Sequence, residues 1–303
     1  MTTDATNDAT AGMTPAEIAE RYGLHQMGVR PGLREYVRSL WTRRDFMLVL
    51  ARSRAEAENQ NTYLGRVWDI LNPTLNAAVY VLIFGLLLKT RDGMTNVIGF
   101  IVVGTFMYKF FQDSVTGAAR AIPRNLNLVR SLHFPRAVLP ISSVLAELAM
   151  LLPALAVMAG FVLVSDRWML HLDSTPNWRW LLIVPAVLLL FMFSTGAGFV
   201  LARLGARWPD VLNFLPFVLR IGMYASGVIF SIDHYLAGGG VLATIMNYQP
   251  VAVYLNLARQ AMLDEPSAQL SGELWLVGLA WAVVTLVVGF VIFWRDEARY
   301  GRD

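Results

Sequence analysis

Six times between Leu71 and Trp294 the chain passes through a mostly apolar run about as long as a bilayer is thick, and no other feature narrows its fold as much. The runs are Leu71–Leu88, Val97–Ala119, Ala137–Val164, Trp180–Leu204, Val211–Ile232 and Leu274–Trp294. A helix needs about 20 such residues to cross the hydrocarbon, because each backbone polar group must be satisfied within the segment. A water-soluble domain of 303 residues has no use for so many, and 56% of this chain is hydrophobic with a mean hydropathy of +0.49. An all-α membrane protein with six transmembrane helices is the expectation.

The arginines give that bundle a direction. Arg34, Arg38, Arg43, Arg44, Arg52 and Arg54 precede the first run, Arg120, Arg124, Arg130 and Arg136 lie between the second and third, Arg203 and Arg207 between the fourth and fifth, and Arg295, Arg299 and Arg302 after the last. The alternate loops hold fewer cations: Lys89, Arg91, Arg167, Arg179 and Arg259. The positive-inside rule then predicts a multi-pass membrane protein with both termini cytoplasmic. The net charge of +3 is divided by membrane side rather than gathered on one soluble face, so nucleic acid is no partner. Cysteine is absent and His25, His133, His171 and His234 are scattered, which predicts neither disulfides nor a metal site.

Composition divides the chain into three parts. Residues 1–32 are rich in Thr, Ala and Asp with no apolar core behind a basic start, so they read as a flexible cytoplasmic tail and not a signal peptide. Residues 33–62 read as an interfacial amphipathic helix with Leu33, Val37, Leu40, Met47, Leu48 and Ala51 on one face, followed by a polar hairpin from Arg52 to Asn61. Residues 63–303 form a single six-helix transmembrane domain. Within it, Val241–Met246 and Val251–Met262 are too short to span, which predicts two short re-entrant helices before the last span.

The inward loop from Arg120 to Pro140 has the pattern of a short amphipathic helix, with Leu126, Val129, Leu132 and Phe134 as its apolar side. It has two readings, a helix resting on lipid headgroups or a knob for a soluble partner. Pro135 disfavours helix at Phe134 and holds that ring at the helix end, where nothing in a lone subunit is expected to need it.

Chemistry-bearing residues are few. A phosphate-cradling loop needs a lysine after glycine, but Lys89 follows Leu88 and Lys109 follows Tyr108, so no cofactor is expected on this chain. Lys109 and Asp113 stand one turn apart in the second run, as a structural ion pair or part of a path; Glu147 and Arg220 are candidates for inter-helix contacts or a water-filled path. Tyr80, Phe84, Phe106, Phe110, Tyr224 and Phe230 are either ordinary packing aromatics or rings that line a path through the bundle. Gly196-Ala197-Gly198 and the run Gly222, Ala225, Ser226, Gly227 predict close helix contacts.

Motifs sharpen this. Asn127-Leu-Val, Phe134-Pro135-Arg136 and Leu139-Pro140 resemble the coupling segment of polysaccharide-exporting ABC transporter permeases, and Tyr63-Leu64-Gly65, Trp68 and Leu71-Asn72-Pro73 resemble that family's entry into its first membrane helix. The resemblance runs from about Leu33 to the C-terminus and includes the Wzm-like permeases of O-antigen, teichoic acid and lipid-linked galactan exporters. It implies a coupling surface at Asn127, Leu128, Leu132, Phe134, Pro135 and Arg136 and an aromatic-lined channel in a homodimer. It also implies two copies of a cognate ABC ATPase carrying ATP and Mg, and lipid-linked polysaccharide as cargo. The excess of arginine over lysine suits a GC-rich genome and leans toward the galactan exporters. The chain departs from the family at Ser226-Gly227, where Ser-Pro is usual, at Arg207-Trp208-Pro209-Asp210, and at Asn247-Tyr248-Gln249-Pro250, where Asn-Pro is usual.

The competing reading is a polytopic glycosyltransferase acting on lipid-linked sugars, with Asp166, Asp173, Asp264 or Glu265 as an acidic base or metal ligand on the outer loops. A passive channel would leave the inward knob unexplained.

Overall fold

A computed structural model describes residues 14, 32–57, 65, 67–83, 94–132, 134–166, 177–235, 240–263 and 269–300; the expected N-terminal tail (residues 1–32) lies almost wholly outside them, as do Tyr63-Leu64 and Phe84. The described residues form helices and turns without a strand. In chain order the helices are α1 (Leu33–Thr42), α2 (Arg44–Ala57), α3 (Val67–Tyr80), α4 (Val97–Ala119), α5 (Leu126–Ser131), α6 (Val138–Val164), α7 (Ile183–Arg207), α8 (Asp210–Ala225), α9 (Ile232–Tyr235), α10 (Val241–Tyr248), α11 (Pro250–Met262) and α12 (Gly272–Arg295). Each of the six apolar runs overlaps one of the longer helices, α3, α4, α6, α7, α8 or α12. Among the described residues, three stretches are long and apolar enough to cross a membrane: Val138–Val164, Trp178–Arg207 and Gly272–Arg295.

Helix α4 sits at the centre. It starts at Asn96, whose side chain accepts a hydrogen bond from the Gly99 N–H at 2.7 Å, and it packs against α6 and α7 along most of its length, with α11 and α3 completing the ring. Lys109, Gln112 and Asp113 lower its hydropathy, yet it is the helix most enclosed by the others.

Small residues let α7 and α12 meet backbone to backbone. A Cβ on Gly289 would lie 2.1 Å from the Gly196 carbonyl oxygen, and one on Gly196 would lie 2.4 Å from Thr285. The close contact expected of Gly196 is therefore made, and its partner is the last helix.

Three boundaries differ from the sequence expectation. The interfacial helix is two helices, because Arg43 leaves helical geometry (φ −95°, ψ 16°) between α1 and α2. Residues 52–57 are helical, not a hairpin: α2 continues to Ala57 because it lies along α6, where Ala51 is buried and Arg54 donates to the Leu139 carbonyl at 3.2 Å. Helix α8 ends at Ala225 rather than running to Ile232, since Gly227 turns the chain at φ +67°, a conformation that only glycine takes freely. The two short helices after Gly240 form as expected.

The apolar residues gather in two clusters. The larger fills the space among α4, α6, α7 and α11. The smaller lies at the base, the end that carries the loop 120–140 and residue 300, and joins Tyr36 and Leu40 of α1 to Ile122, Val129, Val138, Phe199, Phe293 and Tyr300.

Candidate functional site

Between α2, α3, α4 and α6 the bundle opens into two adjoining cavities. The lower, of about 460 Å³, is walled by Arg54, Lys109, Asp113, Arg120, Arg124, Ser143 and Glu147, among others. The upper, of about 120 Å³, is walled by Trp68, Asn72, Phe106, Phe110 and Leu151 and shares Lys109, Asp113 and Glu147 with the lower. Of the residues singled out in the sequence, the fold thus brings Phe106, Phe110, Lys109, Asp113 and Glu147 to one place. Lys109 Nζ pairs with Asp113 Oδ2 at 2.5 Å, and both side chains remain about one-third exposed to the cavity.

In the sequence Arg54 stands out only as one of the orienting arginines and as part of a polar hairpin. Here it reaches in from α2 and donates to Ser143 Oγ and to the Leu139 carbonyl. Burial, aided by the like charge of Arg124, lowers its pKa to about 10, which leaves it cationic at neutral pH.

The remaining aromatic and charged candidates lie elsewhere. Tyr80 on α3 donates to Met223 Sδ at 3.6 Å and stands within electrostatic reach of Tyr224 and Arg220, so Arg220 has neighbours that sequence spacing did not reveal. Arg220 and Tyr224 lie on an exposed face of α8 with Phe217 and Ile221. Phe230 is half-buried in the turn beyond α8.

The base carries the inward loop. A 3-10 turn, Pro123–Asn125, leads into α5. Val129 points into the base cluster, Asn127 is exposed, Leu128 is half-buried, and Leu132 is 51% exposed. Phe134 corrects the expectation of a ring left for a partner: it meets Phe46 of α2 edge-on, with centroids 5.6 Å apart, and so packs within the chain. Pro135 is buried. Arg136 is tied to the C-terminal turn, its N–H donating to Glu297 Oε1 at 2.8 Å and its guanidinium to the Glu297 carbonyl.

Glu297 is the centre of that tie. Its Oε2 accepts from the Tyr36 hydroxyl at 2.7 Å, and the same hydroxyl accepts from the Ala137 N–H at 3.1 Å. Burial raises the Glu297 pKa, while the Arg136 N–H, the Tyr36 hydroxyl and the Arg136 charge pull the other way. Beside it Arg203 pairs with Asp296. Sequence reasoning placed none of Tyr36, Arg203 or Glu297 in a site, because the three lie on segments far apart in the chain.

At the opposite end Arg259, counted among the outer-loop charges, is buried. Its guanidinium lies 3.3 Å from the Phe100 ring centroid and donates to the carbonyls of Gly227 and Val228 at 2.9 and 3.0 Å and to that of Phe100. The signal was present in the sequence: a lone cation inside the apolar run 251–262, the same argument applied to Lys109.

The carboxylate of the enzyme reading that can be seen is committed elsewhere. Asp166 is buried and accepts from Asn96 Nδ2 at 2.6 Å, beside Ser165 at 2.8 Å, as part of the α4 and α6 ends; Asp173, Asp264 and Glu265 lie outside the described residues.

This chain is similar to the O-antigen export system permease protein RfbA of Myxococcus xanthus, with 28% identity over 65% of this chain and 72% of the relative. It is similar to the protein of the same name from Klebsiella pneumoniae, with 22% identity over 84% of this chain and 93% of the relative. The polysialic acid transport protein KpsM of Escherichia coli is 24% identical over 78% of this chain and 87% of its own length. The family model described as ABC-2 type transporter matches residues 45–263, from α2 through the buried Arg259 to the end of the paired short helices. With well over half of its length matched, this multi-pass membrane chain belongs to the ABC-2 type transporter family.

Proposed function

We propose that the chain is the permease subunit of an exporter that moves a lipid-linked polysaccharide, O-antigen-like or galactan, out across the bacterial plasma membrane. Three apolar stretches, together with α3, α4 and α8, make six spans in this reading, with both termini and the loop 120–140 in the cytoplasm. The names of the relatives, two O-antigen export permeases and a polysialic acid transport protein, support the cargo class.

The observation that carries the reading is the form of the base. A short helix with Leu132 exposed stands on a support bound to α1, α2 and the C-terminal turn, so a push on α5 is transmitted to the bundle. Neither lysine has a phosphate-loop context, and energy therefore comes from a separate ABC ATPase, present in two copies, that holds ATP and Mg. The exposed α8 face carries Phe217, Ile221 and Tyr224 with Asn213 and Arg220 among them, which suits a second copy of this chain across a central path better than lipid.

Co-expression with an ABC ATPase from the same genome tests this. The expected outcome is a stable complex that hydrolyses ATP, no hydrolysis by this chain alone, and loss of surface glycan in cells lacking it. Robust hydrolysis by the isolated chain, or unchanged surface glycan without it, would overturn the proposal.

A further inference from the structure

The lower cavity has a mouth that neither the coupling base nor the aromatic lining explains. Arg54, Arg120 and Arg124 converge on it from α2 and from the end of α4 and the turn that follows. Among the described residues none of the three makes an ion pair. Packing three guanidinium groups around one space is unfavourable unless something negative enters it, and the lowered pKa of Arg54 reflects that crowding as well as burial. The volume of about 460 Å³ is that of a small-ligand pocket.

The charge changes sign with depth. At the mouth stand the three arginines, while farther in Asp113 and Glu147 accompany Lys109, and beyond them come the rings of Phe106 and Phe110. An anion is thus attracted to the mouth and repelled from the neck. Planar guanidinium forks match the oxygens of phosphate two at a time, which a carboxylate-sized ligand would use less fully.

We propose that this mouth binds a phosphate or diphosphate group, and that the group is the anionic head of a membrane lipid entering at the cytoplasmic interface. The proposal rests on the exporter reading for its cargo, a glycan on a lipid, and adds where the linking phosphate is held. Arg54, braced by Ser143 and Leu139, is the fixed arm of the site; Arg120 and Arg124 are its adjustable arms.

The test uses the full chain in nanodiscs of phosphatidylcholine, with farnesyl diphosphate, phosphatidylglycerol and inorganic pyrophosphate as separate probes. Farnesyl diphosphate is expected to bind saturably and more tightly than phosphatidylglycerol. The pair Arg120→Gln and Arg124→Gln should weaken it about tenfold or more, while Arg207→Gln, which removes a charge from the exposed end of α7, should not. Inorganic pyrophosphate binding as tightly as the lipid would leave the phosphate site and assign it to a free anion. Equal binding of farnesyl diphosphate to the wild type and to the double variant, with both melting alike, would overturn the site; an equal loss in Arg207→Gln would reduce it to general charge attraction and overturn it also. The assay needs no export, so its failure leaves the exporter reading standing, and an ATPase that does not co-purify leaves the site standing.

Discussion

At the far end of the bundle Arg259 is 1% exposed, held by backbone carbonyls of Phe100, Gly227 and Val228 and by the face of the Phe100 ring. At the base Glu297 is 6% exposed, held by the Tyr36 hydroxyl and the Arg136 N–H. Both are buried charges, but one is fixed by groups that cannot titrate and sit in or beside the helices that frame it, and the other joins three segments 161 and 261 residues apart by side-chain bonds. The far end is built as a clamp. The base is built as a joint, whose strength depends on a few donors and on the protonation of one carboxyl.

The clamp should show the largest effect when broken. Arg259→Ala takes the guanidinium donor from the carbonyls of Gly227 and Val228 and removes the cation from Phe100, a loss of roughly 3 kcal/mol or more. Its thermal midpoint in detergent should fall well below that of every base variant, and Arg259→Lys should fall between, since an ammonium reaches fewer of those oxygens at once. An Arg259→Ala protein that melts like wild type would remove the contrast between the two ends.

Glu297→Ala comes next, with an expected loss of about 2 kcal/mol, because Tyr36 and the Arg136 N–H then lack a buried acceptor. Tyr36→Phe should cost about 1 kcal/mol, and the two together less than the sum, since both act on one bond. Full additivity would mean that the hydroxyl and the carboxylate are not coupled.

Acidity separates the two ends further. Burial raises the Glu297 pKa above the ordinary 4.5, so the folded state holds a proton that the unfolded state releases. The contribution of this group to stability is full below about pH 4.5 and declines as the pH rises through the higher folded-state value. The difference in melting temperature between wild type and Glu297→Gln should therefore change over that interval and level off above it; a difference constant with pH would contradict the raised value. The Arg259 clamp should show no such slope.

The contrast also explains how much the sequence could reveal. The run Val97–Ala119 and the paired helices after Gly240 were legible because each is set locally, by an apolar stretch with Asn96 before it in one case and by Gln249-Pro250 between short stretches in the other. The continuation of α2 to Ala57 was not, because its reason is the wall of α6, which no residue near Arg52 announces. The cavity was half legible: Phe106, Lys109, Phe110 and Asp113 share one helix, whereas Arg54 arrives from a helix read as a hairpin. The base joint was mostly illegible: Arg136 stood out only as part of a coupling motif, and Tyr36 and Glu297 are ordinary surface residues by composition.

The smallest effect on stability should come from Leu132, and it is the most informative about coupling. Leu132 and Phe134 are two residues apart and equally apolar to a sequence reader, yet Leu132 is half exposed while Phe134 rests on Phe46. Phe134→Ala removes a ring contact within the chain and should lower the melting temperature, with a cost of about 1 kcal/mol from the lost aromatic pair. Leu132→Ala removes nothing that the lone chain uses, and its melting temperature should match wild type. If α5 docks the ATPase, the order reverses in co-purification: Leu132→Ala should weaken assembly by about 1 to 2 kcal/mol when its side chain is central to the interface. A Phe134→Ala chain matched for membrane abundance should lose assembly only in proportion to its lost stability. Should Leu132→Ala assemble and export like wild type, α5 rests on lipid headgroups and the push on the bundle enters somewhere else along the base.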